Sequence, residues 1–570
     1  MKKAEVKKII LDNIAFCVMG VVFIFLTLVT RTLTVTGNLS WSFGFLLKAV
    51  PVSLITGILL GFAVNYIVKN ISAGIGQREL PAAKDKQKCL WVFFVALGVL
   101  FLAYIPYFLA YYPGILAYDS YIQIGQIFTG EYNEHHPLFH TLTIRAAVFA
   151  GQNIFNSLNA GIAAYVLTQM LLLSAVFSYG IFCLYKRGFH IFSFVTLGIL
   201  AVFPFNGFMA VSVTKDIPFA VFFLLAVIAL TELLLFTDKK TYILNAVLLF
   251  ISLIMCVLFR NNGKYSLGIA FEVCLIILIV KAFKKSSKEK KKEIKRCGLI
   301  LLGAFVSLVI SLLALLVISK SLNAVQGDRR EMLSVPIQQL ARTYVYHAGA
   351  GVLPEDDNTM DEESKALINE FILNDGAKLY RQDISDPVKR NTNTWVVVNK
   401  TSQFVKVYLK LFIKYPEDYI NAFIAQNAGF IDIGDKSHAY INDPDEVKGH
   451  GYVQTKWEDS LYVKGFYQDS KWPALRALMD EFADNNGYLK IPLLKYIFMP
   501  GIYFWFFVLA LIYAIKKKNI GLIAIVSLIA GYYATMFFGP TVQLRYVYPV
   551  MIVVPFLIPV FFREARRTDG

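Results

Sequence analysis

The side chains best suited to chemistry lie in a loop after the third long apolar segment of the chain. Asp119 follows a Pro-Gly turn there, and Glu134, His135 and His136 come later in the same loop. A carboxylate in such a position can act as a general base toward a hydroxyl or an amine. The alternative is that Asp119 caps the helix that follows it, and the two roles are compatible.

The histidines of this loop raise the question of a metal. His136 and His140 are spaced i, i+4 and share one face of the helix expected to begin there, so they can ligate a divalent metal together. No third ligand has a diagnostic spacing, and the segment is not H-E-x-x-H. No cofactor is certain and a divalent metal stays open. We favour hydrogen bonds from His135 and His136 to a phosphate or sugar, with Glu134 as a further substrate-binding residue, or a structural role at the helix start.

Three further polar segments border apolar runs. Arginine binds phosphate oxygens through paired hydrogen bonds and lysine binds them as a point charge, so we expect these cations to bind an anion, with Asp216 orienting Lys215. The alternatives are a helix cap with a local ion pair at Lys215 and Asp216, and snorkelling of Arg545 to the membrane interface. The residues of these segments that we assign to the site are Lys215, Asp216, Arg260, Asn261, Asn262, Lys264, Arg545 and Tyr546.

The composition decides which elements must position these groups. The chain has 570 residues, of which 56% are hydrophobic and only 17% charged, and its mean hydropathy is +0.55. Soluble globular proteins average about a quarter charged residues. These values exclude soluble, disordered and collagen-like classes and predict an integral membrane protein with many spans.

Apolar runs long enough to cross a bilayer occur twelve times. A transmembrane helix needs about 20 apolar residues, and the run at 189–205 is the shortest that we accept. Residues 138–157 are partly apolar but contain His140 and Arg145, so we expect an amphipathic helix at the membrane surface. The predicted spans are 10–30, 44–68, 90–111, 160–185, 189–205, 217–236, 242–259, 265–283, 298–319, 494–515, 519–538 and 546–562.

The formal net charge of +16 has a topological explanation. With the basic N-terminus in the cytoplasm, the cytoplasmic segments carry a net +20 and the rest of the protein −4, as the positive-inside rule predicts. Binding to nucleic acid is not needed to account for the charge. Both termini are then cytoplasmic, and all four polar segments fall on the outer face.

Residues 320–493 are more polar than the rest of the chain and face outward in this topology. We expect a soluble domain there, either mixed α/β or largely helical, between a nine-span membrane domain at 1–319 and a three-span segment at 494–570. Gln338 and Arg342 begin this domain, so we place them near the same site, although an ordinary helix surface accounts for them equally well. None of the six cysteines lies in the domain, so it contains no disulfide.

Several short motifs together resemble a known pattern. The order of a span, an Asp after Tyr118, an amphipathic stretch and a His-Pro element resembles the GT-C superfamily of membrane glycosyltransferases, including its protein O-mannosyltransferase and aminoarabinose transferase branches. A bacterial multi-span family classed as GT-C-like is closer still, and the resemblance covers most of the chain. The motifs that carry it are YPGILAYDSYIQIGQ, HHPLFHTL, VTKDIPFA, FRNNGKY, LSVPIQQLAR and LRYVYPV.

The resemblance implies an all-α polytopic fold of about twelve transmembrane helices with an extracytoplasmic domain, in the bacterial plasma membrane. It implies that the outer loop 112–159 carries the catalytic aspartate. Asp119 matches that position, with Tyr118 beside it. The donor would be a polyprenyl-phosphate sugar and the acceptor a glycan, lipid or protein of the cell envelope. Two departures are that Ser120 stands where relatives often have a second acid, and that two spans precede the Asp loop instead of one.

Other functions fit parts of the sequence. A ligase or polymerase of lipid-linked glycans would share the outer site. A glycolipid transporter or flippase would place charges within central spans and show internal repeats, and the sequence has few such charges and no repeat. A scaffold role is the remaining alternative.

Overall fold

The computed structural model describes most of the chain. Tyr118 lies outside the described residues. The described ranges are 3–76, 86–117, 119–236, 238, 240–282, 288–434, 438–440, 443–448, 453–483 and 487–567.

Apolar runs form the first group of helices. A bilayer offers no water to the backbone N–H and C=O groups of these runs, so these groups bond to one another within each helix. A π-helical turn at Glu232–Phe236 extends α9. The helices are α1 Lys3–Thr36, α2 Phe43–Gly76, α3 Lys86–Ala110, α4 Ser120–Thr129, α5 Leu138–Phe155, α6 Leu158–Lys186, α7 His190–Val202, α8 Pro204–Val211, α9 Asp216–Thr231, α10 Tyr242–Phe259, α11 Gly263–Ala282 and α12 Lys288–Ser321.

The region predicted to be a soluble domain is built mainly from short helices. This agrees with the largely helical alternative, since its described strands are one short antiparallel pair, β1 His438–Tyr440 and β2 Asp443–Lys448. Turns of 3₁₀-helix lie at Arg329–Leu333, Gly376–Leu379 and Gly487–Lys490. The helices are α13 Ser334–His347, α14 Glu362–Phe371, α15 Asp386–Arg390, α16 Thr394–Asn399, α17 Thr401–Lys414, α18 Pro416–Gln426, α19 Ala428–Ile431, α20 Asp459–Val463 and α21 Pro473–Ala483, and α22 Leu494–Ile497 follows just beyond the region.

The last apolar runs form α23 Pro500–Lys516, α24 Ile520–Phe537, α25 Leu544–Met551 and α26 Val554–Arg567. Among the described residues, nine helices are long and apolar enough to cross a membrane, or eleven if each of two bent pairs counts as one span. The bent pairs are α7 with α8, at 61°, and α25 with α26, at 45°. Helix α23 is shorter, so the protein is a multi-pass membrane protein with nine to eleven such spans rather than a demonstrated twelve.

Helix α5 confirms the helix expected at 138–157. It buries one face, which includes Leu138, Ile144 and Val148, and exposes Ile154 and Phe155. This two-sided distribution matches the amphipathic character expected from the sequence. It packs closely against α6.

Two cores divide the region after α12. Buried side chains of α13 to α18, such as Leu340, Phe371 and Leu411, form a core of their own. Side chains further along, including Trp457 and Phe466, instead join the core of the membrane helices. The second half of the region therefore packs directly onto the membrane helices.

Contacts between chain segments bring several helix ends together. Arg260 just after α10 and Arg545 in the first turn of α25 both contact Asp216 at the start of α9, and Asn262 just before α11 contacts Thr535 near the end of α24. We call this the site end, because it gathers the four polar segments found in the sequence. The same segments would lie at opposite ends if a single span were added or removed between them.

Candidate functional site

A short backbone bridge fixes the loop that carries Asp119 beside the loop that carries Lys215. The amide of Ile115 donates to the carbonyl of Val211 at 2.8 Å, and the amide of Val213 donates to the carbonyl of Ile115 at 2.9 Å. Gly114 permits the tight approach. It has φ +157°, and a Cβ there would lie 2.6 Å from a methyl of Val166.

Three side chains meet where these loops end. Lys215 Nζ lies 2.7 Å from Asp119 Oδ2 and donates to His136 Nδ1 at 2.9 Å. His136 Nδ1 is 3.9 Å from the same carboxylate oxygen. Asp119 occupies the N-cap position of α4, but its side chain makes no capping hydrogen bond. The carboxylate is therefore engaged by the lysine, and the side-chain cap considered from the sequence is not formed.

A second carboxylate lies behind the first. The side chain of Asp216 is fully buried, and it accepts from Arg260 Nη1 at 2.6 Å and from Arg545 Nη1 at 3.3 Å. Arg545 Nη1 is also 3.7 Å from Asp119 Oδ2. Lys215 does not pair with its neighbour Asp216, so the local ion pair considered from the sequence is replaced by contacts across the fold.

Arg545 thus links the two carboxylates into one assembly, which we call the charged centre. Three permanent cations face two carboxylates in it, which leaves a formal charge of +1. It consists of Asp119, His136, Lys215, Asp216, Arg260 and Arg545.

Aromatic rings hold the arginines in place. The guanidinium carbon of Arg260 lies 5.4 Å from the ring centroids of Phe219 and Tyr532 and 5.2 Å from that of Tyr546. Tyr546 also accepts from Arg545 Nη2 at 2.8 Å through its hydroxyl. Cation–π contacts of this kind strengthen where water is excluded. They fix both arginines in a nearly dry environment.

The electrostatics of the centre favour an ionised aspartate and a neutral histidine. Burial opposes ionisation of Asp119, but the charges of Lys215 and Arg545 outweigh it and hold the pKa well below its usual range. Burial and the Lys215 ammonium lower the pKa of His136 to about 2. Because Lys215 can only donate, His136 Nδ1 must accept, and the proton resides on Nε2. That buried Nε2 has no hydrogen-bond partner.

His140 does not take part in a metal site. Its Nδ1 lies 2.9 Å from Gln123 Oε1 and its Nε2 lies 2.9 Å from the hydroxyl of Tyr165, so both ring nitrogens are used. Gln123 also donates to Thr141 Oγ1 at 2.9 Å. Because these residues come from three helices, the contacts fix α4 and α5 against α6.

The residues present do not fit a divalent metal. The Lys215 ammonium sits within 3 Å of both Asp119 and His136, which are the two donors such a metal would share. Within the described ranges, no group of three His, Cys, Asp or Glu side chains could hold a metal ion.

Among the other loop residues assigned from the sequence, His135 packs its ring on that of His136 with the centroids 4.5 Å apart, and the rest support the loop around the centre. Asn261 donates to the carbonyls of Glu134, at 2.9 Å, and His135, at 3.2 Å. The carboxylate of Glu134 accepts from Ser319, and Asn262 donates to Thr535 at 3.1 Å. His135 lies 3.9 Å from Glu331. These bonds hold the loop that carries Glu134, His135 and His136 against α11 and α12.

Lys264 and Gln338 also lie apart from the centre. Lys264 Nζ is 5.1 Å from the ring centroid of Tyr265, and it makes no contact with the six described residues of the charged centre. Gln338 donates to the carbonyl of Arg381. Gln338 is one step removed from the site, because the bridge between Ile384 and Thr541 ties the Arg381 loop to the chain just before α25.

Arg342 belongs to a different assembly. Its side chain is completely buried and bonds Asp418 Oδ1 at 3.1 Å, the Gly37 carbonyl at 3.0 Å, Tyr380 at 3.2 Å and Asn38 at 2.7 Å. We call this the Arg342 network. It joins α13 and α18 to the turn between α1 and α2, and none of these contacts reaches the charged centre.

Two supporting residues were missed by sequence reasoning. Thr214 Oγ1 lies 3.3 Å from Asp216, and Gln543 accepts from Arg545 Nε at 2.6 Å. Thr214 precedes Lys215 and Gln543 lies two residues before Arg545, and a polar side chain close in sequence to a buried charge is the signal that could have found them.

The fold and these contacts define a multi-pass membrane protein with a buried, positively charged ionic centre where several helices end. Residues 129–570 match the model of a family of unknown function, DUF6020, and the chain belongs to that family. No curated protein and no solved structure matches the chain. The matched segment contains every member of the charged centre except Asp119, which precedes it.

Proposed function

We propose that this protein is a membrane glycosyltransferase that moves a sugar from a polyprenyl-phosphate donor to an acceptor of the cell envelope. The transfer takes place at the site end, which faces the outside of the bacterial plasma membrane in the topology with both termini in the cytoplasm. The GT-C resemblance of the motifs suggests this class. The chemistry of the charged centre is what supports it independently.

The observation that carries the proposal is the excess of cations around Asp119. A phosphate brings negative charge, and the centre has three cations for its two carboxylates. Lys215 bonds two acceptors while an ammonium has three N–H groups, and the buried Nε2 of His136 is a donor without an acceptor. An unmet buried donor costs about 1–3 kcal/mol, and a phosphate oxygen would remove that cost.

The reaction is a single displacement. The acceptor oxygen bonds to the anomeric carbon, the bond from that carbon to the phosphate oxygen breaks, and the polyprenyl phosphate leaves with the electron pair. Asp119 takes the proton of the acceptor hydroxyl. Lys215 and Arg545 stabilise the charge that develops on the leaving phosphate. Attack from the face opposite the phosphate inverts the anomeric centre.

Lys215 also links donor binding to the strength of the base. With Lys215 on its carboxylate, Asp119 has a pKa well below its usual range and is a weak base. A donor phosphate competes for Lys215 and Arg545, which raises the pKa of Asp119 toward its ordinary value. The base therefore gains strength when the donor is bound. Asp216 holds Arg260 and Arg545 in place and is a positioning residue.

Deletion and complementation test the proposal. A strain lacking the protein should show surface polymers whose mass is reduced by a sugar residue, and the wild-type gene should restore it. Asp119→Asn preserves the shape of the side chain and removes the base, so we expect transfer to fall by about 10²- to 10⁴-fold. The measurement is the mass spectrum of the surface polymers, with protein abundance in the membrane determined in parallel.

Glu131→Gln is the matched control. Glu131 lies in the same loop and is exposed, and its change removes the same charge without touching the centre. It should restore the polymers fully. Restoration by Asp119→Asn at wild-type abundance would rule out the assigned base.

A further inference from the structure

A cavity and a neighbouring cation lie at the end of the membrane helices that is opposite the site end. An apolar cavity of about 90 Å³ is lined by side chains of α9 and its π-helical extension, α10, α11, α12 and α24. Leu234, Leu278, Cys297 and Ile520 line it near the helix ends, and most of its lining side chains on α11 and α12 are only half-buried. The cavity therefore reaches the lipid-facing side of these two helices.

A cation stands at the end of this cavity. Arg296 Nη2 lies 3.3 Å from the carbonyl of Leu234, one of the lining residues, and the next residue, Cys297, also lines the cavity. The Nε of Arg296 is buried and has no hydrogen-bond partner. Lys292 is four residues earlier on α12, so it shares a helix face with Arg296, and it is exposed.

Carboxylates close to Leu234 in sequence are already engaged. Glu232 pairs with Arg187, and Asp238 lies 2.8 Å from Lys186. They are therefore not available to neutralise Arg296. The unpaired Nε of Arg296 can bind an anionic headgroup, and the adjoining apolar cavity, which opens toward lipid, can hold an acyl chain. Together they provide both parts of a lipid-binding site.

This position is far from the charged centre. Asp216 begins α9 and Leu234 follows it by 18 residues along one helix, which corresponds to ~27 Å. A phosphate at Arg296 cannot be the phosphate that contacts Lys215. The two features are separate sites.

We propose that the cavity binds an anionic phospholipid, with its phosphate on Arg296 and an acyl chain among the apolar side chains of α9 to α12 and α24. The negative headgroup supplies the acceptor that Arg296 Nε lacks, and Lys292 adds attraction at the surface. A zwitterionic lipid has the same phosphate, but its own cation reduces the attraction. The site does not depend on the proposed sugar transfer.

Native cysteines of the chain provide the test. Cys297 lines the cavity and Cys17 lies on α1, away from it, so one protein sample contains the reporter and its internal control. Full-length protein in detergent is titrated with phosphatidylglycerol or with phosphatidylcholine of the same acyl chains. Alkylation of each cysteine by an apolar maleimide is then followed by peptide mass spectrometry. Phosphatidylglycerol should slow the labelling of Cys297 and leave that of Cys17 unchanged.

Variants separate the headgroup from the chain. Arg296→Gln should raise the half-protecting phosphatidylglycerol concentration roughly fivefold, the effect of one cation near an anionic headgroup. Lys240→Gln removes an exposed cation at the same end but outside the cavity, so it should change nothing. Ala304→Phe fills the cavity and keeps Arg296, and it should abolish protection by lipid.

Three results would overturn the proposal. Equal protection by phosphatidylcholine means that the cavity takes up apolar chains without regard to charge. Stronger protection by a polyprenyl phosphate than by phosphatidylglycerol assigns the cavity to the tail of the donor. Unchanged protection in Arg296→Gln, with native-like thermal unfolding, removes Arg296 from the site. The first and third outcomes do not bear on transfer by Asp119, and the second concerns only where the tail of the donor lies.

Discussion

Two assemblies in this protein bury arginine against aspartate, and they differ in how completely the charges are satisfied. In the Arg342 network the guanidinium makes four hydrogen bonds, to Asp418, Gly37, Asn38 and Tyr380, and no part of it is exposed. In the charged centre, Lys215 is shared between Asp119 and His136, and Arg545 is shared between Asp119 and Asp216. The first assembly is closed and the second retains capacity to bind.

The closed assembly has the properties of a structural joint. The second oxygen of Asp418 accepts from His347 Nε2 at 2.7 Å, so the carboxylate too is fully used. In the charged centre, by contrast, the Asp119 side chain is 26% exposed and the His136 Nε2 has no acceptor. A buried network with unmet groups is costly, and such groups are typical of functional sites. Burial of charge alone therefore does not identify a site, whereas incomplete satisfaction does.

The largest expected difference between the assemblies is in stability. Asp418→Asn leaves Arg342 as an uncompensated buried charge and should lower the free energy of unfolding by about 3–5 kcal/mol. Asp119→Asn makes the same chemical change in the charged centre. It should cost only about 1 kcal/mol, because Lys215 is 16% exposed and keeps its contact with His136. Thermal unfolding of both variants in one detergent measures the contrast.

Equal losses in the two variants would contradict the distinction between a closed and an open assembly. Asp375→Asn is a suitable control, because that carboxylate is exposed and forms only a surface contact with Lys378. It should leave the unfolding temperature unchanged.

The sequence was sufficient to group the polar segments but not to connect them. Asp119 and Lys215 are 96 residues apart, and the alternation of spans predicts that they share one end of the bundle. Their contact depends on the bridge at Ile115 and on the close packing at Gly114. Neither has a periodic signal, so the ion pair could not be foreseen.

For Arg342, closeness in sequence suggested a position that the fold does not give it. It follows α12 closely in sequence, which suggested a position near the charged centre. Its partners Gly37 and Asn38 are about 300 residues away in the chain, in the turn between the first two helices. The role of Arg342 is decided by the docking of α13 and α18 onto that turn. Local sequence patterns do not predict how separate elements dock.

The pH dependence of stability should have opposite signs in the two assemblies. Burial opposes protonation of His347, but Asp418 and Asp357 outweigh it and raise the pKa. His347 therefore contributes stability that is complete below the unfolded value of about pH 6.5 and is lost as the pH rises through its folded pKa. The pKa of His136 is instead lowered to about 2. Below about pH 6.5 the unfolded chain binds a proton there that the folded protein does not, which destabilises the fold.

Paired variants measure these two contributions between pH 5 and pH 8. His347→Gln should lose most stability at the acidic end of the range. His136→Asn should lose least there, because it removes a penalty of about 1.4 kcal/mol for each pH unit below the unfolded pKa. Parallel pH profiles for the two variants would show that both histidines have the same protonation state in the fold.

The smallest expected effect comes from removing one tyrosine hydroxyl from each assembly. Tyr380→Phe deprives Arg342 of an acceptor in a network with no alternative, so it should cost about 1–2 kcal/mol. Tyr546→Phe removes an acceptor of Arg545 Nη2, but Arg545 still faces two carboxylates whose oxygens lie 3.3 Å and 3.7 Å from Nη1.

A small shift of the guanidinium toward those oxygens replaces the lost bond, so the Tyr546→Phe cost should stay below about 1 kcal/mol. Differences in unfolding temperature between each variant and the wild type provide the measurement. A larger loss in Tyr546→Phe than in Tyr380→Phe would mean that the arginines of the charged centre are held as rigidly as Arg342. A phosphate could not then draw Arg545 away from Asp119, and the base would stay weak after the donor binds.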